Sequence, residues 1–229
     1  MIPKVIHYCW FGRTKKPELI ERCIKSWREK LPDFEIREWN EDNFDVDAHP
    51  YTKIAYHDKK WAFVSDYARL KILEEQGGVY LDTDMLVLRD LTPLLGSAPF
   101  VGKEDDIYVN AAIIGSTKGH IFIKRAIEKY DELEERIPIP FVLSKLLEQE
   151  KFDVEVYPRA CFYPFSFENI NKFNGTNAPA ESYAVHMWNY SWASGPVKFA
   201  RKIGVYFAIK NSLDRLGVKK HIKKLLKME

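Results

Sequence analysis

A helix that ends on two consecutive glycines and leads directly into a short apolar strand is the feature that most constrains the fold of this chain. Residues 61–76 have helical spacing of apolar side chains, and Gly77-Gly78 follows them where glycine closes a helix without a steric penalty. Residues 79–81 form an apolar run typical of a buried strand. A helix coupled to a buried strand in this way indicates an α/β protein.

The remaining segments repeat this alternation of strands and helices. The length of 229 residues suffices for one compact domain with a sizeable core, and the alternation predicts an α/β fold with a mostly parallel sheet flanked by helices. We expect residues 40–50 to form a loop. Strands are predicted at 5–10, 34–39, 79–81, 85–88, 100–103, 108–115, 154–157 and 183–188, and helices at 17–31, 61–76, 120–135 and 141–149.

The cysteines and the N-terminal residues favour a cytoplasmic protein. Cys9, Cys23 and Cys161 are widely spaced and odd in number, which argues against a disulfide framework and against a structural zinc site. We therefore expect reduced cysteines in the core. The N-terminal residues, interrupted by proline and lysine, do not resemble a signal peptide, and no uncharged apolar stretch is long enough to span a bilayer.

The sequence Asp82-Thr83-Asp84 offers two carboxylates directly after the buried strand at 79–81. Ligands of α/β sheets bind beyond the carboxyl ends of strands, and paired carboxylates there can hold a hard divalent cation. Such a cation would grip a diphosphate and neutralise the charge that develops as the diphosphate leaves. The alternative is a polar turn, but a solvated turn has no need of two carboxylates between two buried strands.

Asp66 and Arg69 fall on the apolar face of the predicted helix at 61–76. At about 100° per residue they are neighbours three positions apart. An acid and a base on a buried face must pair with each other or reach into a polar cavity. Two interpretations stay open here: a structural ion pair, and a pair that contacts a ligand beside the two aspartates.

Two further segments carry candidate ligand-binding side chains. His186 lies near the end of a late strand and is a candidate metal ligand, since neutral imidazole commonly binds metals, although a lone histidine is also often a core residue. Asn189, Ser191 and Trp192 follow and can donate hydrogen bonds to phosphate. Trp10 ends the first strand and can stack on a nucleobase, with a position in the core as the alternative.

Four segments, in this order and spacing, resemble the signature blocks of glycosyltransferase family 32, which contains bacterial capsule and exopolysaccharide transferases and a yeast mannosyltransferase. The resemblance implies a GT-A fold, which is a Rossmann-like α/β domain with an Asp-X-Asp (DXD) metal site. It also implies Mn²⁺ or Mg²⁺ and retention of the anomeric configuration. The segments are Ile2–Gly12 (IPKVIHYCWFG), 62–84 (AFVSDYARL, then GGVYLDTD), 110–116 (NAAIIGS) and 186–192.

The resemblance implies a role for individual residues, with Arg69, Asp82 and Asp84 as the catalytic set and Asp84 as the more direct metal ligand. For the donor, it implies that Trp10 stacks on the base, that Ser65, Asp66 and Arg69 contact ribose, sugar hydroxyls and phosphate, and that Asn110 faces the donor sugar. For the metal, it implies that Asp82 and Asp84 serve both the metal and the donor and that His186 completes the metal shell. It also implies that Trp192 touches the β-phosphate.

The implied function is metal-dependent transfer of a sugar from a nucleotide-diphosphate sugar, expected to be a UDP-sugar, to a glycan acceptor. We expect a lipid-linked acceptor in polysaccharide or surface-glycan biosynthesis, and no nucleic-acid partner. Two other classes stay open, a nucleotidyltransferase and a non-catalytic protein that binds sugar nucleotides. Residues 12–16 match the glycine-rich phosphate loop of the first class poorly, and the intact Asp82-Thr83-Asp84 argues against the second.

The C-terminal residues differ in charge from the rest of the chain. Residues 197–229 hold ten Lys and Arg against two Asp and Glu, a net charge of +8, so the remaining 25 basic and 31 acidic residues give residues 1–196 a net charge of −6. We expect a catalytic domain at 1–196 and a basic amphipathic helical extension at 197–229. That helix would either contact an anionic membrane peripherally, at the cytoplasmic face, or pack its apolar stripe on the domain.

Overall fold

The computed structural model describes residues 1–133 and 136–189, and within them the chain alternates strands and helices as predicted. Two 3-10 turns, at Thr92–Leu94 and Ile170–Lys172, add to the regular elements. The strands are β1 (Val5–Cys9), β2 (Glu35–Trp39), β3 (Gly78–Leu81), β4 (Met85–Val87), β5 (Phe100–Lys103), β6 (Val109–Ser116), β7 (Glu155–Tyr157) and β8 (Ala184–His186). The helices are α1 (Glu18–Lys30), α2 (Pro50–His57), α3 (Trp61–Gln76), α4 (Ile121–Asp131), α5 (Ile139–Gln149) and α6 (Arg159–Phe162).

A mixed sheet organises the described part of the chain, with six strands in the order β2-β1-β3-β6-β5-β7. Strands β2, β1 and β3 are parallel neighbours, and β7 is parallel to β5. Strand β6 runs antiparallel to both β3 and β5. The predicted α/β fold with a mostly parallel sheet is therefore confirmed. Strands β4 and β8 pair separately as an antiparallel ribbon in which Met85 lies opposite His186.

Helices α3, α4 and α5 cover one face of the sheet through a continuous apolar cluster. Because side chains alternate along a strand, Val101 joins this cluster, whereas Phe100 faces the other way and packs against Phe162, with ring centroids 6.2 Å apart. Each fully buried side chain of this kind contributes about 1.5–3 kcal/mol to folding. The cluster therefore holds α3, which carries Asp66 and Arg69, firmly against the sheet.

Helix α1 fixes the position of the β4–β8 ribbon. The indole N–H of Trp27 donates to the carbonyl of Met85 (2.6 Å), and the hydroxyl of Ser26 accepts from the amide of Val87 (3.0 Å). Both bonds are buried, where an unmade hydrogen bond costs about 1–3 kcal/mol. The spacing of the buried positions explains why α1 presents one face here; they are Ile20, Cys23, Ile24 and Trp27.

The three cysteines are free and buried, as expected from their spacing. Burial raises the pKa of the Cys9 and Cys23 thiols to about 12, which keeps both side chains neutral. None of the helices in the described residues is long and apolar enough to cross a membrane.

Several element boundaries differ from the prediction. Helix α2 directly follows the predicted loop at 40–50 and was not expected. It begins at Pro50, and the His49 side chain caps it by accepting from the amide of Tyr51 (3.2 Å). Helix α4 ends at Asp131 rather than at 135, and the late strand covers only 184–186. Residues 197–229, with the predicted helical extension and domain boundary, lie outside the described residues.

The described residues fall into two compact units. The first unit comprises residues 1–164 and 178–186 and contains the sheet, the ribbon and all six helices named above. The second unit includes 165–177 and, among the described residues, 187–189. Within it the indole N–H of Trp188 donates to the carbonyl of Phe165 (2.8 Å), and the rings of Phe165 and Phe173 are 5.3 Å apart.

His7 on β1 is bonded through its two ring nitrogens to strand β2 and to the end of helix α3. Its Nδ1 accepts from the indole N–H of Trp39 on β2 (3.0 Å), which leaves Nε2–H to donate to the carbonyl of Gly77 at the end of α3 (2.9 Å). Burial lowers the pKa of His7 to about 4. The bond to Gly77 and the charge of Glu35 oppose this shift, and Arg37 adds to it. The folded protein therefore requires a neutral His7.

We expect His7 to make the fold sensitive to mild acid. Its pKa is lower in the folded state than in the unfolded chain, so stability is fully present above pH 6.5 and falls as the pH drops toward about 4. The loss between pH 8 and pH 5 should be about 2 kcal/mol from this residue. Urea unfolding of the wild type and of His7→Gln across this range measures it.

Asp66 and His186 also have shifted pKa values, so the pH dependence of the wild type alone does not isolate His7. The contribution of His7 is the difference in the pH dependence of the unfolding free energy between the wild type and His7→Gln. A glutamine side chain does not titrate, so the stability of the His7→Gln variant should depend less on pH by that amount. Parallel stability curves for the two proteins would contradict a buried, neutral His7.

Candidate active site

Asp82, Asp84 and His186 converge into a cluster whose candidate ligand atoms all lie within 4.8 Å of one another. Asp82 follows the last residue of β3, and its amide donates to the carbonyl of Ala112 on β6 (2.7 Å). The amide of Met85 donates to the carbonyl of Asp82 (2.9 Å), which closes a tight turn. Because Met85 pairs with His186 across the ribbon, the imidazole arrives beside this turn.

The Asp84–His186 pair is buried, and its electrostatics suit a divalent cation. Nε2 of His186 lies 3.3 Å from Oδ1 of Asp84, and both residues are about 8% exposed. Burial acts to lower the pKa of His186, but the charges of Asp84 and, less strongly, Asp82 and Glu104 outweigh it and raise the pKa. Two carboxylates and an imidazole form a donor set that fits a divalent metal ion.

Arg69 is buried at the centre of the acidic residues. Its guanidinium contacts the carboxylates of Asp66 (2.9 Å) and Asp82 (3.1 Å) and donates to the carbonyls of Ala111 (2.8 Å) and Ser65 (3.1 Å). Burial acts against the charged form, but Asp82 and the other neighbouring acids keep the pKa of Arg69 above its ordinary value. The predicted Asp66–Arg69 pair is thus present, and it extends to Asp82, which the sequence did not indicate.

Asp66 links the arginine to the start of α5. Its Oδ2 accepts from the amide of Ile139, the first residue of that helix (3.2 Å), where a negative charge is favoured by the helix dipole. Burial raises the pKa of Asp66 to about 6, and Arg69 counteracts only part of this shift. Asp66 is therefore held between a cation and a helix N-terminus.

Tyr80 supports both Arg69 and Asp82 from inside the sheet. Its ring centroid lies 4.5 Å from the guanidinium carbon of Arg69, and its hydroxyl donates to Oδ1 of Asp82 (3.2 Å). The guanidinium of Arg69 contacts the same oxygen, Oδ1 of Asp82. Asp82 is consequently gripped through one carboxylate oxygen and can offer the other to a ligand.

Asn110 lies next to the first residue of the antiparallel strand β6. The side-chain oxygen accepts from the amide of Ala112 (2.7 Å), and the side-chain nitrogen donates to Glu104 (2.7 Å). Glu104 was not among the residues predicted from the sequence. The signal was present, because Glu104 directly follows strand β5 at the sheet edge where Asp82 follows β3.

Trp10 lies at the same edge of the sheet as Asp82. His7 of β1 pairs with Tyr80 of β3, and the chain reaches Trp10 and Asp82 three and two residues later. Trp10 is partly exposed, and its indole N–H donates to the carbonyl of Thr14 (2.7 Å). The structure thus places Trp10 at the predicted edge, and its contact with a nucleobase stays a prediction.

The remaining predicted residues divide into described and undescribed ones. Ser65 lies one turn before Arg69 on α3, and its hydroxyl contacts the guanidinium (3.4 Å). Trp192, predicted to touch the β-phosphate, lies outside the residues that the structure describes. The roles implied for all the predicted site residues remain predictions. Six of these residues nevertheless form one connected group, in which each contacts another member directly or through one neighbour; they are Ser65, Asp66, Arg69, Asp82, Asp84 and His186.

Comparison with known families places this arrangement in a single class. Residues 17–101 match the family described as glycosyltransferase sugar-binding region containing DXD motif. Residues 141–211 match the alpha 1,4-glycosyltransferase conserved region. The class that the fold and site define is therefore the DXD-containing glycosyltransferases. These two stretches of the chain are thus similar to known glycosyltransferases, in agreement with the resemblance to glycosyltransferase family 32.

Individual relatives and a solved structure agree with this assignment. The mannosyl phosphorylinositol ceramide synthase of Saccharomyces cerevisiae is 29% identical over 150 residues, which are 62% of this chain and 38% of that enzyme. The lactosylceramide 4-alpha-galactosyltransferase of Mus musculus is 26% identical over 148 residues, 55% of this chain and 40% of that enzyme. The match therefore spans about two fifths of these two relatives.

The solved structure of the PaToxG glycosyltransferase is similar in fold. It superimposes with a TM-score of 0.52 at 20% identity, covering 65% of this chain and 69% of that one. The fold is thus of the GT-A type, as the resemblance implied.

We expect removal of Arg69 to destabilise the protein strongly. Arg69→Ala would leave the buried Asp66 and the partly buried Asp82 without their shared cation. Breaking a buried ion pair from one side costs about 3–5 kcal/mol. Chemical denaturation measures the loss, with Lys71→Ala on the same helix as control, since that lysine makes only partly exposed ion pairs and should cost less than about 0.5 kcal/mol. Equal losses in the two variants would show that Arg69 is not an organising contact.

Proposed function

We propose that this protein transfers a sugar from a nucleoside-diphosphate sugar to a hydroxyl group of a glycan acceptor, in a reaction that requires a divalent metal ion. The observation that carries the proposal is the convergence of Asp82, Asp84 and His186 within 4.8 Å at the carboxyl edge of the sheet. The family match over residues 17–101 supports it, since that family is described as sugar-binding and as containing the DXD motif. A DXD turn that bound no metal ion would not require a buried histidine beside it.

Mn²⁺ or Mg²⁺ would be held by Asp84 and His186, with Asp82 as the third ligand. When bound, the ion supplies positive charge that stabilises the departing diphosphate. The side chains of the protein supply the positioning. Arg69 and Tyr80 hold one oxygen of Asp82, so the carboxylate does not have to be ordered when the donor arrives.

The donor site would extend from the metal cluster along the sheet edge. We propose that Trp10 stacks on the base of a UDP-sugar, that Ser65 and Asp66 contact ribose and sugar hydroxyls, and that Asn110 faces the sugar. The common edge of β1, β3 and β6 supports this order. We propose retention of the anomeric configuration, with the acceptor hydroxyl approaching on the face that the diphosphate leaves, and we assign no protein nucleophile.

We propose a lipid-linked acceptor. The names of two relatives support this, because both the yeast and the mouse enzyme are named for ceramide lipids. Polysaccharide or surface-glycan synthesis would use the same chemistry on a lipid carrier. The acceptor would contact residues 40–58, a largely polar segment that contains none of the donor-site residues named above.

We also propose that the protein works at the cytoplasmic face of a membrane and that its basic C-terminal residues contact anionic lipid. The net charge of +8 over residues 197–229 supports this, since each basic residue near an anionic surface contributes about 1 kcal/mol. Co-sedimentation with anionic vesicles, with and without residues 212–229, tests the idea. Equal binding of the two proteins would refute it.

We expect donor hydrolysis and sugar transfer to depend on the metal cluster. Incubation with a panel of UDP- and GDP-sugars, followed by mass measurement of the products, should show metal-dependent release of the nucleoside diphosphate from one donor, and EDTA should abolish it. Asp84→Ala and His186→Ala should each reduce the rate by at least about 100-fold, because charge on the leaving group loses its compensation.

Matched controls separate this effect from a general loss of charge. Asp33 is exposed in a turn and His57 is exposed at the end of α2, so Asp33→Asn and His57→Ala should retain the wild-type rate of donor hydrolysis, which needs no acceptor. Full hydrolysis in EDTA, or in Asp84→Ala, would refute the proposed metal dependence. Tight donor binding with neither hydrolysis nor transfer would favour a sugar-nucleotide-binding protein instead.

A further inference from the structure

Glu104 lies at the carboxyl edge of the sheet, on the loop that joins β5 to β6. The loop is a tight turn, because the amide of Glu104 donates to the carbonyl of Tyr108 (2.9 Å). The Asp105 carboxylate accepts from the amides of Ile107 (2.8 Å) and Tyr108 (2.7 Å). Glu104 is partly buried, whereas the three residues after it are exposed. Glu104 therefore faces the protein, whereas the tip of the loop at residues 105–107 faces solvent.

An irregularity in β6 brings Asn110 next to this glutamate. Val101 pairs with Ile114, but Gly102 pairs with Asn110, so residues 111–113 of β6 have no counterpart on β5. Such bulges redirect side chains beside active sites. Two of these three residues of β6 use their carbonyls at the site: that of Ala111 accepts from Arg69 (2.8 Å) and that of Ala112 accepts from the Asp82 amide (2.7 Å). The carbonyl of the neighbouring Asn110 accepts from the Tyr163 hydroxyl (3.4 Å).

Gly102 allows the aromatic support of this region to come close. A Cβ atom at Gly102 would lie 2.5 Å from the ring of Phe162 and 2.8 Å from the ring of Tyr163. The Tyr163 ring in turn lies edge-on to His186, with centroids 5.8 Å apart. The same tyrosine thus touches both the start of β6 and the metal cluster, and it fixes one relative to the other.

The hydrogen bonds of Asn110 define which end of its amide faces which neighbour. The amide of Ala112 is a donor and must meet the side-chain oxygen, and the carboxylate of Glu104 is an acceptor and must meet the side-chain nitrogen. An amide NH₂ group carries two hydrogens, so the bond to Glu104 uses one of them. The bond to Glu104 also fixes the direction of the second N–H, before any ligand binds.

The charge of Glu104 is also felt in the metal cluster. It contributes, after Asp84 and Asp82, to the raised pKa of His186. Glu104 therefore belongs to the same electrostatic neighbourhood as the cluster, although it is not among the three residues whose ligand atoms converge.

We propose that Glu104 is a positioning residue of the donor-sugar site, which holds the Asn110 amide so that its second N–H is ready to donate to a hydroxyl of the transferred sugar. The proposal rests on the proposed function. It assigns Glu104 to recognition of the sugar rather than of the nucleotide, and that distinction can be measured.

The test compares Glu104→Gln, Glu104→Asp and Glu104→Ala in the metal-dependent hydrolysis of whichever donor the wild type accepts. Gln keeps the reach of the side chain and an acceptor oxygen, whereas Asp keeps the charge but is one methylene shorter. If Glu104 acts by positioning, Glu104→Gln should raise KM for the donor by about threefold or less, and Glu104→Asp and Glu104→Ala by about tenfold, the effect of one hydrogen bond to a charged group. The affinity for UDP or GDP, which lack the sugar, should stay within about twofold in every variant.

Three further variants complete the experiment. If Glu104 acts through Asn110, the double variant Glu104→Ala/Asn110→Ala should be no worse than Asn110→Ala alone. Asp106→Asn, on the exposed tip of the same loop, should behave as the wild type. Thermal melting identifies any variant that fails to fold, and Glu104→Asp then replaces Glu104→Ala.

The outcomes are distinguishable from failure of the proposed function. A wild type without hydrolysis and without metal-dependent nucleotide binding would refute the proposed function itself. An active wild type whose KM is unchanged in Glu104→Ala and Glu104→Asp would overturn the role of Glu104 alone. So would a loss in Glu104→Gln as large as in Glu104→Ala together with weaker UDP or GDP binding, since that result would mean that the charge acts on the metal cluster.

Discussion

The buried guanidinium of Arg69 is the interaction on which the arrangement of the site depends. A buried cation is tolerated only where its charge and all its N–H groups are satisfied, so its neighbours must be placed accurately. Asp66 ties it to the N-terminus of α5, Asp82 ties it to the end of β3, and the carbonyl of Ala111 ties it to β6. One side chain thus fixes three elements relative to one another and orients a carboxylate of the DXD motif.

The cluster of Asp82, Asp84 and His186 depends on a second constraint, the placement of the β4–β8 ribbon. Asp84 lies in the turn that leads into β4, and His186 is the last residue of β8. The ribbon can bring them together only because α1 holds β4 in place through Trp27 and Ser26. The histidine therefore reaches the aspartates from a segment about one hundred residues later in the chain. An acidic cluster preorganised in this way would need little rearrangement to receive a metal ion and a diphosphate.

The local parts of this account could be predicted from the sequence, and the long-range parts could not. Helical spacing at 61–76 correctly put Asp66 and Arg69 on the buried face, and the apolar strand before Asp82 correctly indicated a sheet edge. The contact of Arg69 with Asp82 depends on how α3 packs against β3, and the proximity of Glu104 to Asn110 depends on the irregular pairing of β6 with β5. Register between distant strands is set by packing, and no local pattern encodes it.

Family resemblance supplied what local patterns left open. Local reasoning named His186 as a candidate metal ligand with a core position as the alternative, the resemblance favoured the metal ligand, and the pairing of Met85 with His186 then placed it at the cluster. The resemblance offered no equivalent help for Glu104 or for α2, because neither lies in a signature block. Helix α2 is short and is started by Pro50 and capped by His49, signals too local to stand out in a polar stretch.

A crystal structure with Mn²⁺ and the nucleoside diphosphate of the preferred donor, read through the anomalous scattering of manganese, tests the central claim most directly. We predict one strong manganese peak in contact with Asp84, His186 and the diphosphate, with the Asp84–His186 hydrogen bond replaced by coordination and Arg69 still bound to Asp82. A nucleotide bound with manganese elsewhere, or bound while Asp84 and His186 keep their direct contact of 3.3 Å, would contradict the account.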